Sequence, residues 1–440
     1  MAMNMTQGPV LGPLVRFTVP LVLGNIFQLT YNAADSVMVG RLVGTQALAA
    51  VGVAGPVMNI MTFLVVGACL GAGVLMSEFY GAGDERVLRR EVGTTLTAGL
   101  AFTVLLSLLC GAFSPALLRL TRVEEALLPQ ATAYLRVICV ALSFTFLYNL
   151  FAAALRAVGD SRTPLVFLIF SSLLNVGMNF LMMAVLHLGV LGAALATALA
   201  EGISALLCAV YVFWRIPLLR LKRDDLRVRG DLLRRTLGYS AATAMQQTAL
   251  HVGKLLVQSC INGLGVATIA AFNAVNRIDD FAYTPQQNIG NGMATFIAQN
   301  RGAGRHDRIK KGFWAGGRLE AGYFVLLCAV VFLGAEGIMG LFVTDSPEVV
   351  AMGTQYLHWM AVFYIMPMCT NWIQGYFRGM GNMKMTAMST SVQMVGRVIF
   401  TFLLAPRFGI VGVAFAQFGG WVVMLAYEVP YLVRALKETT

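Results

Sequence analysis

The segment YGAGDERVLRR at residues 80–90 returns 221 positions later as RGAGRHDRIKK at 301–311. VGTQALAA (43–50) matches LGVATIAA (264–271) at the same offset. LRAVGDSRTP (155–164) matches FRGMGNMKMT (377–386) at 222, and GVLGAALAT (189–197) matches GIVGVAFAQ (409–417) at 220. Four matches in order and at one period mean that the chain is two copies of one unit.

Composition identifies the medium those copies occupy. Of 440 residues, 58% are apolar and only 12% charged, against about 25% charged in soluble domains. That is too little charge to cover the surfaces of the two or three soluble domains such a length would form. A helical span takes about 20 apolar residues. Apolar runs fall at 14–40, 53–79, 92–113, 128–155, 164–187 and 189–213, then at 232–262, 266–299, 311–335, 350–377, 384–405 and 409–433. The reading is an all-α polytopic membrane protein of 12 transmembrane helices, built as two six-helix lobes. Six is even, so both copies enter the membrane in the same sense and the repeat axis runs along its normal. The expected division is a lobe over 1–213, a basic linker over 214–231 and a second lobe over 232–440. No stretch remains for a soluble catalytic domain.

The net charge of +11 is a topology signal. With the N-terminus inside, cytoplasmic segments hold 24 of the 32 lysines and arginines and the opposite loops hold four. This predicts an inner (plasma) membrane protein with both termini cytoplasmic. Nucleic-acid binding is disfavoured, because the basic loops lack interleaved aromatics. The start, MAMNMTQGPVLGP, lacks the basic n-region of a signal peptide, so the first apolar run is expected to stay as a span. The seven cysteines stand singly in apolar runs, without metal or disulfide spacing. There is no phosphate loop for a primary pump and no HExxH or GxSxG for an enzyme. No cofactor is expected beyond a coupling ion, and no obligate protein partner.

Ionisable groups inside spans are costly, so each is a candidate for function. Asp35 lies in span 1 with Tyr31 four residues earlier, on the same helical face. A carboxylate there needs a proton, a cation or a basic partner such as Arg136. Asn175 and Asn179 are one turn apart on span 5, as are Thr197 and Glu201 on span 6. In the second lobe Lys254, Arg277 and Arg397 balance Asp279, Asp280 and Glu320. Asp279 and Asp280 point about 100° apart. One can face a cavity and attract cations while the other pairs with Lys254, Arg277 or Arg397; zero net charge favours an internal ion network. Pro285 is positioned to kink span 8 and let Gln286, Gln287 and Asn288 present amides to a cavity. Met58, Met61, Met293, Met360 and Met366 offer an adaptable apolar lining, or plain packing.

Several stretches together resemble the multidrug and toxic compound extrusion (MATE) family. They are YNAADSVMVGRLVGTQALAAVG (31–52), EFYGAGDER (78–86), QNRGAGRHDR (299–308), LRAVGDSRTP (155–164), FRGMGNMKM (377–385) and NVGMNFLMM…LGVLGAALATALAE (175–201). Span 1 and NRIDDFAYTPQQNIGNG in span 8 look most like the DinF-like bacterial branch. The resemblance implies a V-shaped pair of lobes that exports organic, often cationic, compounds in exchange for Na+ or H+. It also implies that Asp35 is the coupling-ion or proton site, completed by Asn175, Asn179 and Thr197. Many relatives carry an Asp where this chain has Asn179, and Glu201 is positioned to compensate in part. The rival expectation is a flippase or exporter of a lipid-linked or anionic substrate, with Lys254, Arg277 and Arg397 holding phosphate.

Overall fold

In a computed structural model the chain is a succession of long helices. The structure describes residues 3–120, 123–343 and 346–438, without the side chains of 32–37, 39–41, 45–48 and 438. The helices are α1 (Leu11–Leu42), α2 (Thr45–Gly81), α3 (Glu85–Leu120), α4 (Leu128–Ala157), α5 (Arg162–Asn179) and α6 (Gly189–Arg215), then α7 (Gly230–Ile261), α8 (Val266–Gly302) and α9 (His306–Phe342). α10 is bent by 45° into α10a (Pro347–Phe363) and α10b (Ile365–Gly379). The stretch Met383–Glu438 breaks at Gly409 into α11 and α12. Twelve helical spans in two copies result, as the apolar runs predict.

Among the described residues, eight stretches, nine with the bent pair, are long and apolar enough to cross a membrane on those grounds alone. That number takes α11 and α12 together and leaves out α7 and α8. Both carry buried polar side chains, among them Thr236 and Gln246 of α7 and Asp279 and Gln286 of α8, and membrane helices keep such groups off the lipid face.

The backbone repeats as the sequence does. Eight glycines in the matched segments have positive φ, in four pairs: Gly44 and Gly265 (105° and 96°), Gly83 and Gly304 (73° and 65°), Gly159 and Gly381 (85° and 76°), Gly189 and Gly409 (57° and 57°). Each pair sits at the offset of its segment. A side chain at such φ clashes with its own backbone, so glycine marks where the chain must turn between helices.

Two compact units emerge, Met1–Asn4 with Leu23–Ala244, and Met5–Val22 with Met245–Thr440. The boundaries of these contact units fall inside α1 and α7. Close packing explains this. The first half of α7 lies on α2, where a Cβ on Gly71 would stand 2.8 Å from the Ser240 nitrogen. Ser240 Oγ donates to the Ala68 carbonyl at 3.1 Å, and Arg235 pairs with Glu78 at 3.1 Å. The start of α1 belongs with α8, where a Cβ on Gly292 would meet Thr18 Oγ1 at 2.3 Å. Within residues 214–229, two 3-10 turns, Pro217–Leu219 and Arg223–Leu226, are fastened to α3. Thr97 donates to the Leu226 carbonyl at 2.8 Å.

In the first unit α4 packs on α2, α3 and α6 through small residues such as Ala153 and Ala154. In the second, α8 packs on α9 and α10, around a core that includes Phe272, Tyr356, Tyr364 and Trp421. Large apolar side chains such as Leu105 and Leu108 of α3 lie outward, the pattern a lipid surroundings requires.

Candidate functional site

Among the described residues, each unit holds a buried polar cluster that includes candidate residues. In the first, α5 and α6 bring Asn175, Asn179 and Thr197 together. Asn179 Nδ2 donates to Asn175 Oδ1 at 2.7 Å, and Asn175 Nδ2 donates to Thr197 Oγ1 at 3.2 Å. The Thr197 hydroxyl donates to the Ala193 carbonyl at 3.1 Å. Asn175 and Asn179 are almost fully buried. A π-helical turn, Phe180–Val185, begins right after Asn179 and widens α5; such turns recur at functional sites. The cluster therefore presents neutral amide and hydroxyl oxygens within one helical turn, which can help hold a small hard cation or orient a proton carrier. They supply no charge of their own.

That charge has to come from elsewhere. Asp35 lies on α1, but its side chain falls outside the described residues. Tyr31 is half-buried. Glu201, expected to join the cluster, is turned to α4, where it accepts a hydrogen bond from the Thr145 hydroxyl. One turn of α6 separates it from Thr197, and Thr145 draws it to the neighbouring helix. Arg136 is engaged with α3, its Nε donating to the Gly111 carbonyl at 3.2 Å and to Ser114 Oγ at 3.3 Å.

The second unit resolves the adjacent aspartates. Asp280 pairs with Lys254 at 3.2 Å, both half-exposed. Asp279 is 2% exposed and takes hydrogen bonds from two tyrosines of α10, Tyr356 at 3.0 Å and Tyr364 at 2.6 Å. A carboxylate that accepts two hydroxyl bonds is satisfied without a cationic contact. Arg397 of α11 is buried and within electrostatic reach of Asp279, but its Nε has no hydrogen-bond partner among the described residues. Close by, Gln417 of α12 donates to the Tyr283 hydroxyl, and the Tyr283 ring stands edge-on to Tyr364 and Trp421.

Of the ion network expected for this copy, the Lys254–Asp280 pair is the one that forms among the described residues. Arg277 is exposed. Glu320 of α9 lies instead near Arg378, the arginine that the repeat pairs with Arg156. Tyr283, Tyr356, Tyr364 and Gln417 belong to the cluster and were not anticipated. The one available signal was the spacing of Tyr356 and Tyr364, eight residues apart and so near one face of a helix.

The amides after Pro285 divide. Gln286 is buried and donates to the Tyr364 carbonyl at 3.3 Å, Asn288 is buried and bonds the Thr284 carbonyl at 2.8 Å, and only Gln287 is exposed. α8 runs through Pro285 as one helix. Met61, Met293 and Met360 sit in the apolar cores, Met293 wedged against Gly316 and Gly375, so packing accounts for them. Met58 is half-buried and takes a weak bond from the Tyr134 hydroxyl at 3.9 Å. Met366 is also half-buried, against the second core.

This architecture, two helical copies in a membrane with a buried polar cluster in each, is that of a membrane transporter. Residues 20–181 and 242–403 each match the MatE family model. The chain belongs to the MatE family of multidrug exporters, and it is an integral membrane protein, not an enzyme. It is similar to the probable multidrug resistance protein YpnP of Bacillus subtilis (strain 168), 29% identical over 82% of this chain and 81% of that protein. It is also similar to the FAD transporter of Shewanella oneidensis, 23% identical over 82% of this chain and 79% of that one. Its fold is that of a multidrug resistance MATE family transporter of the MOP superfamily solved in an outward-facing conformation. The TM-score is 0.92 at 20% identity, covering 100% of this chain and 98% of that one.

Proposed function

We propose that the chain is a cation-coupled antiporter of the DinF-like branch, exporting organic, chiefly cationic, compounds by alternating access. It works in the inner (plasma) membrane with both termini cytoplasmic, as the distribution of lysine and arginine supports. The observation that carries the reading is the buried ladder Asn179–Asn175–Thr197, to which Asp35 is the acid that adds charge. One carboxylate among neutral oxygens accommodates either H+ or Na+. Loading it removes an uncompensated charge from the membrane interior and stabilises the state that releases substrate outward. Unloading it restores the state that binds substrate inside. By linkage, ion and substrate must favour different states or compete for one.

The test is reconstitution in liposomes, with efflux of a fluorescent organic cation followed under an imposed pH gradient and then under a Na+ gradient at constant pH. Efflux driven by one of the two supports the reading and names the ion. Efflux driven by neither sinks it.

One observation favours a second reading, export of an anionic compound. Arg397 is buried in the second unit with its Nε unbonded among the described residues, and guanidinium is the side chain best shaped for phosphate. The relative named FAD transporter gives that reading a precedent in kind. Uptake of a dinucleotide by inverted vesicles, abolished by Arg397→Gln while dye efflux persists, would move it to first place.

A further inference from the structure

The basic residues around the start of α3 do more than set topology. Arg86, Arg89 and Arg90 stand at i, i+3 and i+4 on one face of that helix, where like charges repel. The turn Arg223–Leu226 brings Lys222 and Arg223 over the same face, and the five cations line one cavity together with Asp224 and Asp225. Each of the two carboxylates has a partner of its own. Asp225 accepts the Lys222 N–H at 2.9 Å and lies 3.9 Å from Arg89 Nε. Asp224 pairs with Arg227 at 3.8 Å, with both side chains more than 80% exposed (83% and 81%). Among the described residues, Arg86, Arg90, Lys222 and Arg223 have no carboxylate within 4.0 Å.

The cavity is also held in place. A Cβ on Gly93 would lie 1.9 Å from the Asp225 carbonyl oxygen, so the turn rests directly on α3. Thr97 and Thr94 tie down the Leu226 carbonyl and the Arg229 N–H at 2.8 and 3.4 Å. Charge that only directs insertion needs no such convergence. Arg89 is paired with Glu85 at 3.5 Å, and the other four cations, converging on one cavity over a fixed turn, are an arrangement that attracts an anion.

The surroundings indicate the source of that anion. Trp214, at the end of α6, is 76% exposed, and Leu226 and Val228 of the same segment are 40% and 46% exposed. An aromatic at a helix end and apolar side chains next to basic ones are the features of a headgroup layer. We propose that this cavity binds the phosphate-bearing headgroup of an anionic membrane lipid, with the acyl chains along Trp214, Leu226 and Val228.

The test is native mass spectrometry of the full chain carried in detergent with phosphatidylglycerol or phosphatidylcholine, with and without inorganic phosphate. Wild type is expected to retain phosphatidylglycerol in preference to phosphatidylcholine. The double variant Arg86→Gln, Arg223→Gln, at two exposed positions, is expected to bind it about thirtyfold more weakly. The double variant Lys310→Gln, Lys311→Gln changes the corresponding helix start of the second copy and is expected to keep wild-type retention. Equal retention in the first variant, or equal loss in the second, overturns the site. Displacement of the lipid by millimolar inorganic phosphate overturns the lipid assignment and leaves a site for free phosphate.

Discussion

Asp279 illustrates how one buried acid is made tolerable. Two tyrosine hydroxyls reach it from α10, and a hydrogen bond to a charged group contributes about 1.5–3 kcal/mol. Tyr364→Phe removes the shorter bond, and the thermal midpoint in a thiol-dye unfolding assay should fall by roughly 4–8 °C. Asn175→Ala acts differently. It removes both bonds of the ladder, so gradient-driven efflux should drop at least about tenfold, while the loss of two neutral hydrogen bonds should cost about 1–3 kcal/mol of stability. Thr145→Val isolates Glu201. If Glu201 serves the packing of α4 and α6, the variant loses stability and keeps its coupling ion; a changed ion dependence in the liposome assay would place Glu201 in the coupling site. The aspartates were legible in the sequence as acids inside a span. Their partners were not, because Tyr356 and Tyr364 lie 77 and 85 residues from Asp279 and only the fold of the second unit joins them.

At the scale of elements, the repeat is carried by turns as much as by helices. A Cβ at Gly83 or Gly304 would meet nothing within 4 Å, yet both need positive φ. Gly83→Ala and Gly304→Ala should therefore each cost about 1–2 kcal/mol, by backbone strain alone and by similar amounts. Gly159→Ala should cost visibly more in the same unfolding assay, because its Cβ would also stand 2.1 Å from the Met3 carbonyl oxygen. These glycines were readable beforehand, since the four matched segments each contain one at the same register. The attachment of residues 214–229 to α3 was not. It rests on threonine bonds to backbone groups and on the bare surface of Gly93, and neither leaves a periodic trace in the sequence. The same holds for the unit boundaries inside α1 and α7, which follow from close helix contacts at Gly71 and Gly292.

For the whole molecule, the apolar fraction and the period of about 221 residues were enough to give two six-helix copies in a membrane. The lopsided distribution of lysine and arginine then sets the expected orientation, and fluorescent-protein and alkaline-phosphatase fusions after Lys437 check it: the first should be active and the second silent. The chemistry of transport is harder to read, because the two copies have diverged in charge. The first unit keeps a neutral ladder, and the second surrounds an acid with tyrosines and a buried arginine. In the proposed mechanism the driving ion acts through the first unit at Asp35. The most direct measurement compares wild type, Asp35→Asn and Asp279→Asn in one liposome preparation, scoring efflux down an imposed ion gradient against gradient-free exchange of the same dye. Loss of the driven component in Asp35→Asn, with exchange retained and with Asp279→Asn still driven, is the expected result. Driven efflux that survives Asp35→Asn and vanishes in Asp279→Asn would contradict it and assign coupling to the second unit.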